Sequence, residues 1–137
     1  SNNRLDLLAE GRSAALLAKG ASNNAAAWPA HAVLEAITLA GARALGLGQA
    51  IGSIEPGKLA DLAAFELSGP ELSPVFDPVS HLIYAAGREH LREVWIDGQH
   101  VVHKRQLLGA GRNAKLSEVT ARSRLWHNRI HHLLPPD

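Results

Sequence analysis

Eight histidines among 137 residues are the most conspicuous chemistry-bearing feature of the sequence. His127 and His131 stand i, i+4, the spacing at which one helical face presents two imidazoles to a zinc ion. The residue after His127 is Asn128, not the glutamate that a metalloprotease helix uses as its base, and no third ligand lies close by in sequence. A surface or packed helix end is therefore the better reading, and no metal ligand is assigned. His100 and His103 are three apart on an expected strand. Side chains alternate along a strand, so the pair points to opposite faces and cannot share an ion without a bulge. Asp77, Ser80 and His81 are triad residue types packed into five positions. A triad needs a base oriented by the fold and an oxyanion hole, which such a run does not provide. Arg12 projects from an apolar helix face and reads as a paired, partly buried cation at a packing interface, with substrate contact as the lesser alternative. There is no cysteine, which excludes thiolate catalysis and disulfides. No complete catalytic constellation emerges.

The elements that must position these groups are legible from spacing. A first helix is expected over 4–18, with Asn3 as N-cap and Asp6 in the first turn, where the helix dipole favours it. Leu5, Leu8, Ala15 and Leu16 share one face, and Leu7, Ala14 and Ala18 lie opposite, so this helix should be buried between two layers. Trp28-Pro29 opens a second helix over 30–45, with Pro29 at the first helical position and Gly46 as left-handed C-terminal cap. Gly41 inside it implies a close helix contact. Pro56-Gly57 fits a type II turn. Residues 62–65 read as a buried strand and 79–86 as a short helix. Asp97-Gly98, between the β-prone runs 93–96 and 99–102, is a hairpin signal. Ser117 caps a last helix over 118–134, stopped by Pro135-Pro136.

Composition bounds the function. Hydrophobic residues make up 46% and charged residues 20%, which excludes a disordered chain. No apolar run approaches the ~20 residues that span a bilayer, and no signal-peptide plan is visible, so cytoplasmic location is the default. Residues 1–87 carry five basic and eight acidic residues, and residues 88–137 nine and five. The basic excess of the second part is interleaved with Glu89, Glu93, Asp97 and Glu118, so it reads as a solvated surface and not as a nucleic-acid site.

The run from Gly52 to Leu62, Gly-Ser-Ile-Glu-Pro-Gly-Lys-Leu-Ala-Asp-Leu, resembles a motif near the C-terminus of amidohydrolase-superfamily enzymes. Residues 1–19, the stretch Thr38 to Gly46, and Asp77 to Ala86 with Val94 to Gly98 are similar to the flanking segments in one branch. That branch holds S-adenosylhomocysteine/5′-methylthioadenosine deaminases and triazine hydrolases. The match runs in order along nearly the whole chain, except that Gln106 to Lys115 fits poorly. Gly11 stands where the branch usually has Met, and loosened packing is expected there. The resemblance implies an α/β fold class: the C-terminal fragment of a metal-dependent TIM-barrel hydrolase. Residues 1–50 would be the last barrel helices, 51–116 part of a composite β-sandwich, and 117–137 a C-terminal helix. It further implies a divalent metal, zinc or iron, that activates water for attack on an amine- or halide-bearing ring carbon. The implied ligands, a His-x-His pair, two further His and an Asp, would all precede Ser1. No catalytic or metal residue is then expected in this chain, and Ser1, Asn2 and Asn3 would lie nearest the substrate. The implied partners are the N-terminal part of the same protein, a small-molecule substrate and a possible second copy. A stand-alone binding or scaffolding domain without catalysis is the alternative.

Overall fold

A computed structural model describes residues 5–109 and 112–130. Helix α1 spans Leu7–Ser22, α2 Ala30–Glu35 and α3 Gly41–Ala44, with a π-helical segment, Ala36–Ala40, joining the last two. Strand β1 (Leu62–Phe65) precedes α4 (Pro78–Tyr84). Strands β2 (Leu91–Ile96), β3 (Gln99–His103) and β4 (Gln106–Leu107) follow, and α5 spans Arg112–Ile130. The four strands form one antiparallel sheet in the order β1-β2-β3-β4.

The helix boundaries follow from local capping chemistry. α1 starts three residues later than expected because Asp6, not Asn3, is its N-cap. The Asp6 carboxylate accepts the Ala9 N–H at 3.1 Å, which satisfies one of the helix's orphan donors. Asn3 lies outside the described residues. The other end runs on to Ser22, where Asn23 caps it in the left-handed region at φ 49°. Pro29 is the N-cap of α2 and not its first helical residue. Gly46, at φ 74°, ends α3 as expected, and the Leu47 N–H reaches back to the Ala42 carbonyl at 2.8 Å. Asp77 caps α4 through the Val79 N–H at 3.0 Å. The last helix begins at Arg112, so Ser117 lies inside it and does not cap it. Its expected end, toward Leu134, lies outside the described residues.

Ala15, Ala30, Val33 and Ile83 form the buried centre of a small helical core where α1, α2 and α4 meet. The expected close contact at Gly41 is not made: a Cβ there would meet only the Ala36 carbonyl oxygen at 3.6 Å. Gly11 is the closely approached glycine. A Cβ there would lie 3.0 Å from Val33 Cγ1 and 3.1 Å from Ile37 Cγ2. The glycine therefore tightens this helix crossing, contrary to the expected loosening. α1 is covered on one side only. Leu16, expected on the packed face, is exposed together with Leu7 and Leu17.

Candidate functional site

Arg12 reaches from α1 to the C-terminal end of α4. Its Nε donates to the Ile83 carbonyl at 2.7 Å, and its second arm donates to the Ala86 carbonyl. A cation on the last carbonyls of a helix meets both their unsatisfied acceptors and the negative end of the helix dipole. Arg12 is thus an interface clamp. Asp77, Ser80 and His81 are brought together as a helix start: Asp77 is the cap, and His81 Nδ1 lies 3.1 Å from the Asp77 main-chain oxygen. Desolvation works against the Asp77 carboxylate, but hydrogen bonds from Ser80 and Val79 outweigh it and hold the carboxyl below its usual range. Ser1, Asn2 and Asn3 lie outside the described residues, as do His131 and the side chain of His127.

The His100–His103 expectation is overturned. Val94 pairs with Val102 while Trp95 pairs with His100, so Val101 is an extra residue in β3. This bulge resets the alternation and places His103 on the face that already carries His100. Both imidazoles converge on Glu93 Oε2, His100 Nε2 at 2.7 Å and His103 Nδ1 at 3.0 Å. The Lys104 N–H donates to Glu93 Oε1 at 3.2 Å, and the Trp95 ring stacks on His100 at 4.7 Å. Desolvation opposes ionisation of Glu93, yet the His100, Lys104 and His103 hydrogen bonds together keep its carboxyl below the ordinary glutamate range. The residue types were visible in the sequence, but neither Gly nor Pro marks the bulge that unites them.

An apolar groove of about 680 Å³ runs between the second helical stretch and β1. Leu7, Leu34, Ile37, Leu45, Ile51 and Leu62 line it. The π-helical segment forms part of its wall, where Thr38 Oγ1 donates back to the Leu34 carbonyl at 2.6 Å. The Gly-Ser-Ile-Glu-Pro-Gly-Lys run closes one end. Gly52, at φ 95°, presses against the helix so closely that a Cβ would sit 2.8 Å from Leu39 Cα. Lys58 Nζ ties the run together by donating to the Gly48 carbonyl at 2.8 Å and to Ser53 Oγ. Gly57, at φ 92°, and the Lys58 N–H to Glu55 carbonyl bond at 3.2 Å match the expected type II turn. The motif that carries the family resemblance is here a tightly tied structural turn.

The family model described as "Amidohydrolase family" matches residues 1–101. A 5-methylthioadenosine/S-adenosylhomocysteine deaminase of Teredinibacter turnerae is 38% identical over 130 residues, which is 95% of this chain and 28% of that protein. An adenosine deaminase of Xanthomonas campestris, solved with bound zinc, superposes with TM-score 0.86 at 45% identity over 96% of this chain and 29% of its own. The zinc-complexed atrazine chlorohydrolase of Arthrobacter aurescens TC1 superposes with TM-score 0.74 at 28% identity, covering 83% and 25%. The chain spans little more than a quarter of the length of the relatives it matches.

Proposed function

Because the chain belongs to the amidohydrolase family, we propose that it is the C-terminal structural portion of a metal-dependent aminohydrolase. That enzyme would act on a C–N bond of an adenosine-like ring, with C–halide cleavage on a triazine-like ring as the related chemistry. The observation that carries this reading is the similarity to deaminases along nearly the whole chain, paired with coverage of only a quarter of their length. In this reading residues 1–50 are the last barrel helices, 51–116 part of a composite sandwich and 117–137 a C-terminal helix. Ser1, Asn2 and Asn3 are the residues nearest the substrate.

The chain's own residues do not make up the catalytic ligand set implied by the resemblance. Among the described residues, the one convergence of metal-ligating groups is Glu93, His100 and His103, which lacks the His-x-His pattern. No catalytic step is therefore assigned to this chain. What it contributes is an apolar surface. Leu7, Leu45 and Ile54 are exposed, and β1 has a hydrogen-bonded neighbour on one side only among the described residues. Burying such side chains is worth about 25 cal/mol per Å² of apolar area removed from water, which favours a covering layer. We assign that layer to the N-terminal part of the same protein.

The test compares the 137-residue chain with the polypeptide encoded by its full reading frame. The longer protein should release ammonia from S-adenosylhomocysteine or 5′-methylthioadenosine, and the short chain should not. The short chain should also bind an apolar reporter dye and self-associate. A dilute monomer with a sharp thermal transition and no dye binding would instead make it a stand-alone domain.

A further inference from the structure

We propose that Glu93, His100 and His103 form a three-ligand site for a divalent transition metal of the zinc class, built into the β2–β3–β4 meander and separate from any catalytic metal. Two imidazole nitrogens and one carboxylate oxygen are a donor set that suits zinc, and three protein ligands leave a fourth position for water. All three ligating atoms lie within 4.8 Å of one another. A tetrahedral ion with bonds of about 2.0–2.1 Å separates its ligand atoms by about 3.3 Å. The observed contacts of 2.7 and 3.0 Å to Glu93 Oε2 thus need to open by about 0.6 and 0.3 Å.

The surroundings hold each ligand in place. The Trp95 ring, nearly parallel to His100 at 11°, fixes the imidazole plane. The Lys104 N–H engages Glu93 Oε1, which turns Oε2 toward both histidines. Such outer contacts orient ligands and raise affinity at known metal sites. The Val101 bulge is what brings His103 into register with Glu93, and Lys104 and Arg105 both adopt left-handed backbone at φ 46° and 67° to close the adjoining turn. Left-handed backbone is costly for residues with side chains, and here it is held by the Lys104 N–H on Glu93 and by the Arg105 N–H, which donates to the Arg92 carbonyl at 3.0 Å beside the ligands. The occupant is a single hydrated cation, because two imidazole nitrogens and one carboxylate oxygen converge on one point. Its role is to clip β2 to the β3–β4 turn.

The site is local in sequence, so its test is independent of the enzymatic reading. The longer protein, stripped of metal by chelation, is titrated with zinc chloride at neutral pH by calorimetry. Binding of one zinc beyond any catalytic ion is expected, and the imidazole NMR signals of His100 and His103 should shift. His103→Gln and Glu93→Gln should each weaken binding by more than the 10- to 100-fold typical of losing an outer partner. The double variant His127→Gln/His131→Gln should retain one site. Because His103→Gln leaves the Trp95–His100 stack intact, its loss of zinc reads ligation and not unfolding. Failure of the unmutated longer protein to bind this additional zinc overturns the proposal. So does equal binding by His103→Gln, or loss of the signal in the His127/His131 double variant. Ammonia release by the longer protein bears on none of these outcomes.

Discussion

Replacing Arg12 by Ala should open the α1–α4 interface. The guanidinium makes two charge-assisted hydrogen bonds, to the Ile83 and Ala86 carbonyls, and both acceptor residues are 0% exposed. A hydrogen bond to a charged group is worth about 1.5–3 kcal/mol, and losing one partner leaves the other to pay its desolvation. Against this, Arg12, Ala86 and Glu89 line a depression of about 250 Å³, through which water can reach one carbonyl once the side chain is gone. The net loss is then about 2–4 kcal/mol, the upper part including packing of the Arg stem. The assay is amide hydrogen exchange, which reads the opening of this helix pair whether or not the chain unfolds in one step. At about 1.4 kcal/mol per decade, α4 amides should exchange about 30- to 1,000-fold faster in R12A. Arg12→Lys should lie between, because an ammonium cannot hold both carbonyls in a planar fork. Arg12→Met keeps the stem without the charge and should fall between Lys and Ala. Exchange in R12A within threefold of the unmutated rate would refute the clamp and return Arg12 to the substrate-contact reading.

Asp97→Pro should cost about 3 kcal/mol or more, and far more than His100→Ala: proline cannot adopt φ 50° and removes the N–H that donates to Asp61 at 2.7 Å. Equal loss of β2 amide protection in the two variants would count against the hairpin assignment. Arg105→Gly should stabilise the β3–β4 turn by about 0.5–1 kcal/mol, read as slower exchange of its paired amides, because glycine takes φ 67° without a Cβ penalty. Acid should loosen the same hairpin. The Glu93 carboxyl lies below its ordinary 4.5 in the folded chain, so its stabilisation is present above that value and is lost as pH falls through and below it. The Trp95 indole signal should report this loss, and Glu93→Gln should abolish its pH dependence.

What the sequence disclosed and what it hid divide along a physical line. Features set by a few consecutive residues are legible: the Asp97-Gly98 hairpin with φ 50° and 73°, the Gly46 stop, the Pro56-Gly57 turn and the position of strand Leu62–Phe65, although the burial expected of that strand is not found, since Ala63 and Ala64 are exposed on a strand paired on one side only among the described residues. The α1 start was misplaced because Asn3 and Asp6 are both competent caps, and only the Ala9 contact distinguishes them. Gly11 and Gly41 take roles opposite to those their sequence context implies, because a glycine's role depends on what approaches it. Val33 and Ile37, 22 and 26 residues downstream, approach Gly11, whereas Gly41 lies along the open groove. The Glu93 cluster was hidden by a one-residue bulge that inverts a face assignment without changing a single residue type.

The same line separates what this chain can build unaided from what it cannot. Caps, turns and the meander draw on contacts within short stretches, so they are specified wherever the chain is placed. Among the described residues the helical core has four buried members, two of them alanine, and Leu8, Trp28, Leu34, Ile37, Val79 and Tyr84 packed around them are only partly buried. Meanwhile Leu7, Leu45 and Ile54 are exposed along a groove whose walls are mostly aliphatic, with Thr38, Ser53 and Asp61 among them. A surface monomer rarely leaves such an apolar patch open. Such a patch is what the proposed N-terminal layer would cover. Arg12 and Lys58, both donating to main-chain carbonyls at the seams between elements, fix how the elements that line this surface sit against one another.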